Sequence, residues 1–219
     1  MDARLLFPIW HFTVSQILAS FYIPLISLHA EKDLDSGVVW AGTALMLTAA
    51  MNCLSSPVLG ILTDKYGPWK MMIASSIAFP LVYICVGPLP PLATLKITPS
   101  KTQLMLALSF MGIAIPMANL PAVPAMLSIY SSKYPGEVPK WASNALVSLY
   151  VSFYSIGLGI GLTLSGFIAP HVSFGWSTGT LGLLYILQSC ACIIFCVNEM
   201  KISRRLVVER ENLLSNGPE

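Results

Sequence analysis

Charged side chains are scarce in this sequence and are absent from five long stretches. Lys, Arg, Asp and Glu make up 10% of the 219 residues, whereas hydrophobic residues make up 55%. A soluble domain carries about 25% charged residues, so this protein cannot be surrounded by water on all sides. The net charge of +2 gives no basis for a nucleic-acid partner. The uncharged stretches are residues 5–30, 36–63, 71–95, 102–132 and 141–198.

Each uncharged stretch can cross a bilayer, because the hydrocarbon core needs about 20 helical residues. The last stretch is long enough for two crossings, with a turn at 169–175 that contains a proline and a glycine. The runs are continuously apolar, which excludes the alternating strands of a membrane barrel. We therefore predict an all-α membrane bundle over residues 1–197 and a cytosolic tail at 198–219. The predicted spans are about 5–28, 38–62, 69–86, 103–130, 141–169 and 176–197.

The distribution of basic residues predicts the orientation in the membrane. Six spans place both termini on the same side, and nine of the twelve Lys and Arg residues lie on that side. Loops rich in Lys and Arg stay in the cytosol, so we predict cytosolic termini for this multi-pass protein. The nine are Arg4, Lys65, Lys70, Lys133, Lys140, Lys201, Arg204, Arg205 and Arg210.

Signatures of catalysis and metal binding are also missing. The sequence shows no Ser–His–Asp arrangement, no phosphate-binding loop and no paired carboxylates. None of its five cysteines has the spacing of a metal site, which would need a nearby histidine or a second pair of cysteines. We therefore expect no enzyme activity, no metal and no cofactor.

One short motif follows the second span. Gly60 would let two helices approach closely, and Asp64 could accept hydrogen bonds from the first amides of the next helix. Gly67 would support the reversal of the chain. An ordinary turn that is basic because it is cytosolic is the alternative interpretation. The motif residues are Gly60, Leu62, Asp64, Lys65, Gly67 and Lys70.

These six residues resemble the loop motif of the major facilitator superfamily, Gly-x-Leu-x-Asp-Arg/Lys-x-Gly-Arg-Arg/Lys, with Pro68 in place of one basic residue. Residues 55–65, 87–90 and 154–168, with Pro121 and Pro124, resemble the vesicular amine transporters, particularly the polyamine-type member. That resemblance covers only the C-terminal six helices of a twelve-helix protein. It implies a proton-coupled antiporter that moves a small organic solute, an amine or polyamine, by alternating access. The motif would form a cytosolic gate, and the partner would be an N-terminal six-helix bundle or a second copy.

The sequence departs from this family at its acidic positions. Ile23 precedes Pro24 where related transporters have an acid, and Ala125 follows Pro124 where the polyamine-type relatives have one. Cation transporters use intramembrane carboxylates to attract substrate or relay protons. Such carboxylates must therefore lie in the other half, or the substrate is not a cation. The alternative function is a truncated, non-transporting membrane protein or a subunit that needs a separate bundle.

Uncharged polar residues in the spans are the candidates for a solute pathway. Each must face another helix or a water-filled path, and interhelical packing is the alternative for every one of them. Asn119 leads because Pro116, Pro121 and Pro124 surround it and broken helices line transporter cavities. His11 is expected to reach toward the cytosolic interface. The pathway candidates are Gln16, Tyr22, Asn52, Asn119, Tyr150 and Tyr154.

Glycines in the fifth span and a dileucine pattern in the tail complete the sequence predictions. Gly157, Gly161 and Gly166 permit close helix packing, either at a seam between two bundles or within one bundle. The tail, expected to be unstructured, matches Glu-x-x-x-Leu-Leu at Glu209, Leu213 and Leu214. Cytosolic sorting adaptors read such a pattern, which favours a vesicular or endolysosomal membrane.

Overall fold

The computed structural model describes residues 3–32, 37–86, 100–134 and 136–215, and this part of the chain is helical without any strand. Six helical segments within it are long and apolar enough to cross a membrane, the fourth of them made of two helices. The predicted all-α, six-span fold is confirmed. The helices are α1 (Ala3–Lys32), α2 (Val38–Tyr66), α3 (Pro68–Val86), α4 (Lys101–Asn119), α5 (Ala122–Lys133), α6 (Lys140–Ile168) and α7 (Phe174–Ser215).

The fourth span is broken near its middle. Sequence patterns predicted one helix over 103–130, but α4 ends at Asn119 and α5 begins at Ala122. Proline has no N–H to donate to the preceding turn, so Pro121 interrupts the backbone hydrogen bonds there. The chain still crosses the bilayer as one segment, Lys101–Lys133.

The end of the chain differs from the prediction. Helix α6 ends at Ile168 and α7 begins at Phe174. The turn between them lies in the segment 169–175, where the proline and the glycine predicted it. The expectation of an unstructured tail from residue 198 was wrong through residue 215, because α7 continues to Ser215. Glu, Arg and Leu in this stretch are good helix formers. The backbone of Glu209, Leu213 and Leu214 lies in this helix, and their side chains lie outside the described part.

Helix α1 lies at the centre of the bundle. It packs most extensively against α6, while α4 packs against α2 and α3, and α3 also packs against α7. The main core contains side chains from α1, α3, α4 and α7. Helices α2 and α6 are the least covered spans, with 6% and 17% of their most apolar windows buried. These two helices therefore leave most of their apolar surface uncovered by the bundle.

Two of the three predicted packing glycines lie against α1. A Cβ on Gly157 would overlap the Thr13 carbonyl, and one on Gly161 would overlap the Ile17 carbonyl and the Ser20 side chain. Both glycines thus serve packing within one bundle, the second of the two interpretations. A Cβ on Gly166 would meet no atom within 4 Å. Gly166 therefore makes no close contact within this bundle, and its packing role stays a prediction.

Candidate functional site

A cavity of about 220 Å³ lies between α1, α2, α4 and α6. Its wall combines apolar side chains with uncharged polar ones, and it contains no Asp, Glu, Lys, Arg or His. Four of the six predicted pathway residues line it, from three different helices. They are Gln16, Tyr22, Asn52 and Tyr154.

Asn119, the fifth candidate, reaches the cavity through Gln16. Its Nδ2 donates to Gln16 Oε1 at 3.5 Å, the outer limit for a hydrogen bond. Asn119 is the last residue of α4, directly before the break in the fourth span. The bond therefore joins the cavity wall to the interruption of that span.

Tyr150, the sixth candidate, does not line the cavity. Its ring stacks on Phe12 of α1 with centroids 4.4 Å apart, whereas the Tyr154 ring lies 6.1 Å from the same partner. The structure therefore gives Tyr150 a place in the α1–α6 packing, which was the alternative for every pathway candidate.

The hydroxyl groups around the cavity differ in how they are bonded. Ser20 donates to its own helix at Gln16 O, 2.8 Å away, and Thr48 donates to Ala44 O at 3.1 Å. The Tyr22 hydroxyl is buried and has no hydrogen-bond partner among the described residues. The ring edge of Tyr22 packs against Tyr83, whose own hydroxyl donates to Leu18 O at 2.7 Å. Tyr83 is thus a structural tyrosine, and Tyr22 is not held by its hydroxyl.

The face of α1 that packs against α7 carries a second polar group. Gln188 Nε2 lies 2.8 Å from His11 O, 3.1 Å from His11 Nδ1 and 3.4 Å from Ser15 Oγ. Tyr185 donates to Ser15 Oγ at 2.7 Å. A backbone carbonyl can only accept, so the Gln188 amide must direct its N–H groups at His11, and Nδ1 accepts.

This buried network corrects the interpretation of His11. The side chain is 0% exposed and does not reach toward the membrane interface. Sequence reasoning placed His11 by its depth in the span, but depth does not tell which face of the helix it occupies. Ser15 and Tyr185 were missed altogether, and their only signal is that small and aromatic polar residues in a span need partners.

The motif from Gly60 to Lys70 lies at the junction of α2 and α3 and is helical rather than a loop. Helix α2 runs through Tyr66, Gly67 alone links it to α3, and its φ of 86° is one that favours glycine. The Gly67 N–H donates to Thr63 O at 2.9 Å. The predicted reversal at Gly67 agrees with this geometry.

Two physical roles predicted for this motif are absent. Asp64 is exposed on the last turn of α2 and caps no helix among the described residues. A Cβ on Gly60 would meet nothing within 4 Å, so no helix of this bundle approaches it. Leu62 is half-buried, and Lys65 and Lys70 are exposed. The motif therefore presents a polar, uncovered helix end.

No group of three or more His, Cys, Asp or Glu side chains able to hold a metal occurs within the described ranges.

An ion pair joins α1 to α7 near the predicted cytosolic face, where Arg4 Nη1 lies 3.8 Å from Glu199 Oε2. The chemistry that remains for the cavity is neutral hydrogen bonding and apolar contact.

Comparisons with known proteins agree with this architecture. The sequence model of the Major Facilitator Superfamily matches residues 12–212. The MFS-type transporter SLC18B1 of Homo sapiens is 27% identical over 202 residues, which are 91% of this chain and 43% of that protein. The mouse protein of the same name is 26% identical over 189 residues, 84% of this chain and 40% of that protein. The multidrug resistance protein MdtG of Proteus mirabilis is 24% identical over 175 residues, 77% of this chain and 39% of that protein.

Proposed function

The chain belongs to the Major Facilitator Superfamily, and we propose that it is one six-helix half of a transporter that moves a small organic solute by alternating access. The observation that carries this proposal is the uncharged cavity bordered by Gln16, Tyr22, Asn52 and Tyr154. Polar groups in a membrane bundle line a pathway when other helices do not cover them. Two of the helices that line the cavity, α2 and α6, are the least covered spans.

A second bundle completes the pathway in this proposal. The chain spans less than half the length of the curated relatives it matches. The open sides of α2 and α6 provide a surface for either an N-terminal six-helix bundle or a second copy. Gly159 and Gly166 support this arrangement, because a Cβ on either would meet no atom of this bundle within 4 Å.

The solute is an amine or polyamine, exchanged for protons. The resemblance to vesicular amine transporters supports this choice, and the uncharged stretches of the sequence limit the role of this half. An ammonium ion in the membrane requires a charged or strongly polar partner. The other half therefore supplies the carboxylates, and this half contributes neutral hydrogen-bonding groups.

The end of α2 acts at the cytosolic gate. Asp64, Lys65 and Lys70 are exposed there, available to the second bundle. Both termini lie in the cytosol by the distribution of basic residues. Glu209, Leu213 and Leu214 direct the protein to vesicular or endolysosomal membranes through cytosolic adaptors.

A second function is a subunit or truncated protein that transports nothing by itself. The absence of Asp and Glu from the predicted spans favours this second function, as does a cavity that the described helices do not fully enclose. Proton-gradient-driven uptake of spermidine and of a monoamine separates the two, using proteoliposomes that contain the longest product of the gene. We expect saturable uptake that is lost when the gradient collapses. No uptake of either amine by that product contradicts the transporter proposal.

A further inference from the structure

One hydrogen bond joins the cavity to the break in the fourth span. Asn119 Nδ2 donates to Gln16 Oε1 at 3.5 Å, with Gln16 on the cavity wall and Asn119 at the end of α4. The geometry points to a latch: this bond fixes the bend between α4 and α5, and a solute that donates an N–H or O–H to Gln16 displaces Asn119 and releases the bend. The inference rests on the proposed transport function and names the residue through which the solute acts.

The backbone at the break offers little resistance to bending. Pro121 and Pro124 lack N–H groups, so the hydrogen bonds to the carbonyls of Met117 and Leu120 are missing at this turn. Leu120 N–H still donates to Pro116 O at 2.9 Å, and the ladder resumes where Ala125 N–H donates to Pro121 O at 2.9 Å. Sharp kinks occur at such interruptions. A single side-chain bond at this point can therefore influence the angle of the span.

The two halves of the fourth span have different main neighbours. Gly112 of α4 lies so close to α2 that a Cβ would overlap the Thr48 carbonyl and the Met51 side chain. Helix α5 packs chiefly against α1 and α6, and less extensively against α3. A change of bend therefore shifts α2 relative to α1 and α6, the three other helices around the cavity. The cluster that holds α5 contains Leu5, Ile9, Met126, Ile129 and Leu146.

The latch also defines the chemistry of the solute group. Gln16 Oε1 accepts a hydrogen bond from Asn119, so a solute group that competes for this oxygen must be a donor as well. An ammonium group makes shorter and stronger hydrogen bonds than a neutral amide does, and the present bond is at the long limit. An amine or hydroxyl group therefore replaces Asn119 readily, whereas an ether or a carbonyl does not.

Binding measurements on four proteins test the competition. Tyramine, which carries an ammonium and a hydroxyl group, is titrated into the full gene product in lipid nanodiscs. Asn119→Ala removes the competitor, so binding should tighten about threefold to tenfold, the range of one neutral hydrogen bond. In a Gln16→Met background the same substitution should change nothing. Weaker binding in Asn119→Ala overturns the latch, because Asn119 would then contact the solute directly. An equal effect in both backgrounds also overturns it, because Asn119 would then act independently of Gln16.

A measurement without solute keeps the latch separate from the transport proposal. Hydrogen exchange at the amides of residues 117–123 should be faster in both Asn119→Ala and Gln16→Met than in the parent protein. Ser109→Ala is the matched control, because that hydroxyl donates only to Met105 O of its own helix, and its exchange should be unchanged. Unaltered exchange in both latch variants overturns the inference. Faster exchange in a protein that neither binds nor moves amines supports the latch and contradicts the proposed function.

Discussion

Helix α1 carries polar side chains on two faces, and the hydrogen bonding of these side chains differs between the two faces. On the side of α7, Gln188 lies within 3.4 Å of three acceptors, and His11 is fully buried. On the side of α2 and α6, Gln16 has a single side-chain hydrogen bond to the described residues, of 3.5 Å, and borders a cavity. Gln188 thus joins two helices through several short contacts, whereas Gln16 makes one long bond at the edge of a cavity. Neighbouring helices, rather than residue type, decide which role a glutamine has.

The close contact between Gly161 of α6 and Ile17 of α1 should be the point where a substitution lowers stability most. Gly161→Ala would drive a methyl group into the Ile17 carbonyl of α1, and overpacking costs about 1–3 kcal/mol. We expect a lower yield of folded protein and a lower melting temperature in detergent. Gly159→Ala is the matched control on the same helix, because its Cβ meets nothing within 4 Å. Equal melting temperatures for both variants would contradict the packing described here.

The two glutamines provide the next test of the comparison. Gln188→Met removes the donor to His11 and Ser15, and we expect a loss of stability of about 1–3 kcal/mol. Gln16→Met removes one long bond, and its loss should be below about 1 kcal/mol. Thermal melting of the two variants in the same lipid measures the difference. The opposite order would mean that the cavity face is the structural one.

A pair of tyrosines tests the same distinction with a smaller change. Tyr83→Phe deletes a buried hydroxyl that donates to Leu18 O and should cost about 0.5–1.5 kcal/mol. Tyr22→Phe deletes a buried hydroxyl that has no partner within the described ranges, so stability should stay equal or rise slightly. Chemical denaturation in mixed micelles can compare them. Destabilisation of both to the same extent would show that the Tyr22 hydroxyl is bonded.

The smallest effect on stability is expected at the end of α2. Asp64 is exposed and caps no described helix, so Asp64→Asn should leave insertion and melting unchanged. Transport should nevertheless slow, because a gate in the assembled protein would use this carboxylate against the second bundle. Initial uptake rates, divided by the amount of inserted protein, provide the measurement. Unchanged turnover would remove the gate role from this motif.

The spans were predictable because the bilayer imposes a minimum apolar length that any sequence must show. Contacts within the bundle were less predictable. Proline residues marked the neighbourhood of the break, but the pattern did not locate it at Leu120 and Pro121. Asp64 was expected to cap α3, and the prediction failed because α2 continues to Tyr66. His11 was misplaced because α1 carries polar side chains on more than one face, so periodicity does not tell which face a given polar residue occupies.

The central claim is that the Gln16 face of α1 conducts solute and the Gln188 face holds the bundle together. Amine uptake into proteoliposomes, measured side by side for Gln16→Met and Gln188→Met and divided by the amount of folded protein, tests this claim most directly. We predict that Gln16→Met loses most of its uptake per folded molecule, whereas Gln188→Met keeps the parent rate per folded molecule. Full uptake in Gln16→Met together with lost uptake in folded Gln188→Met would contradict the account.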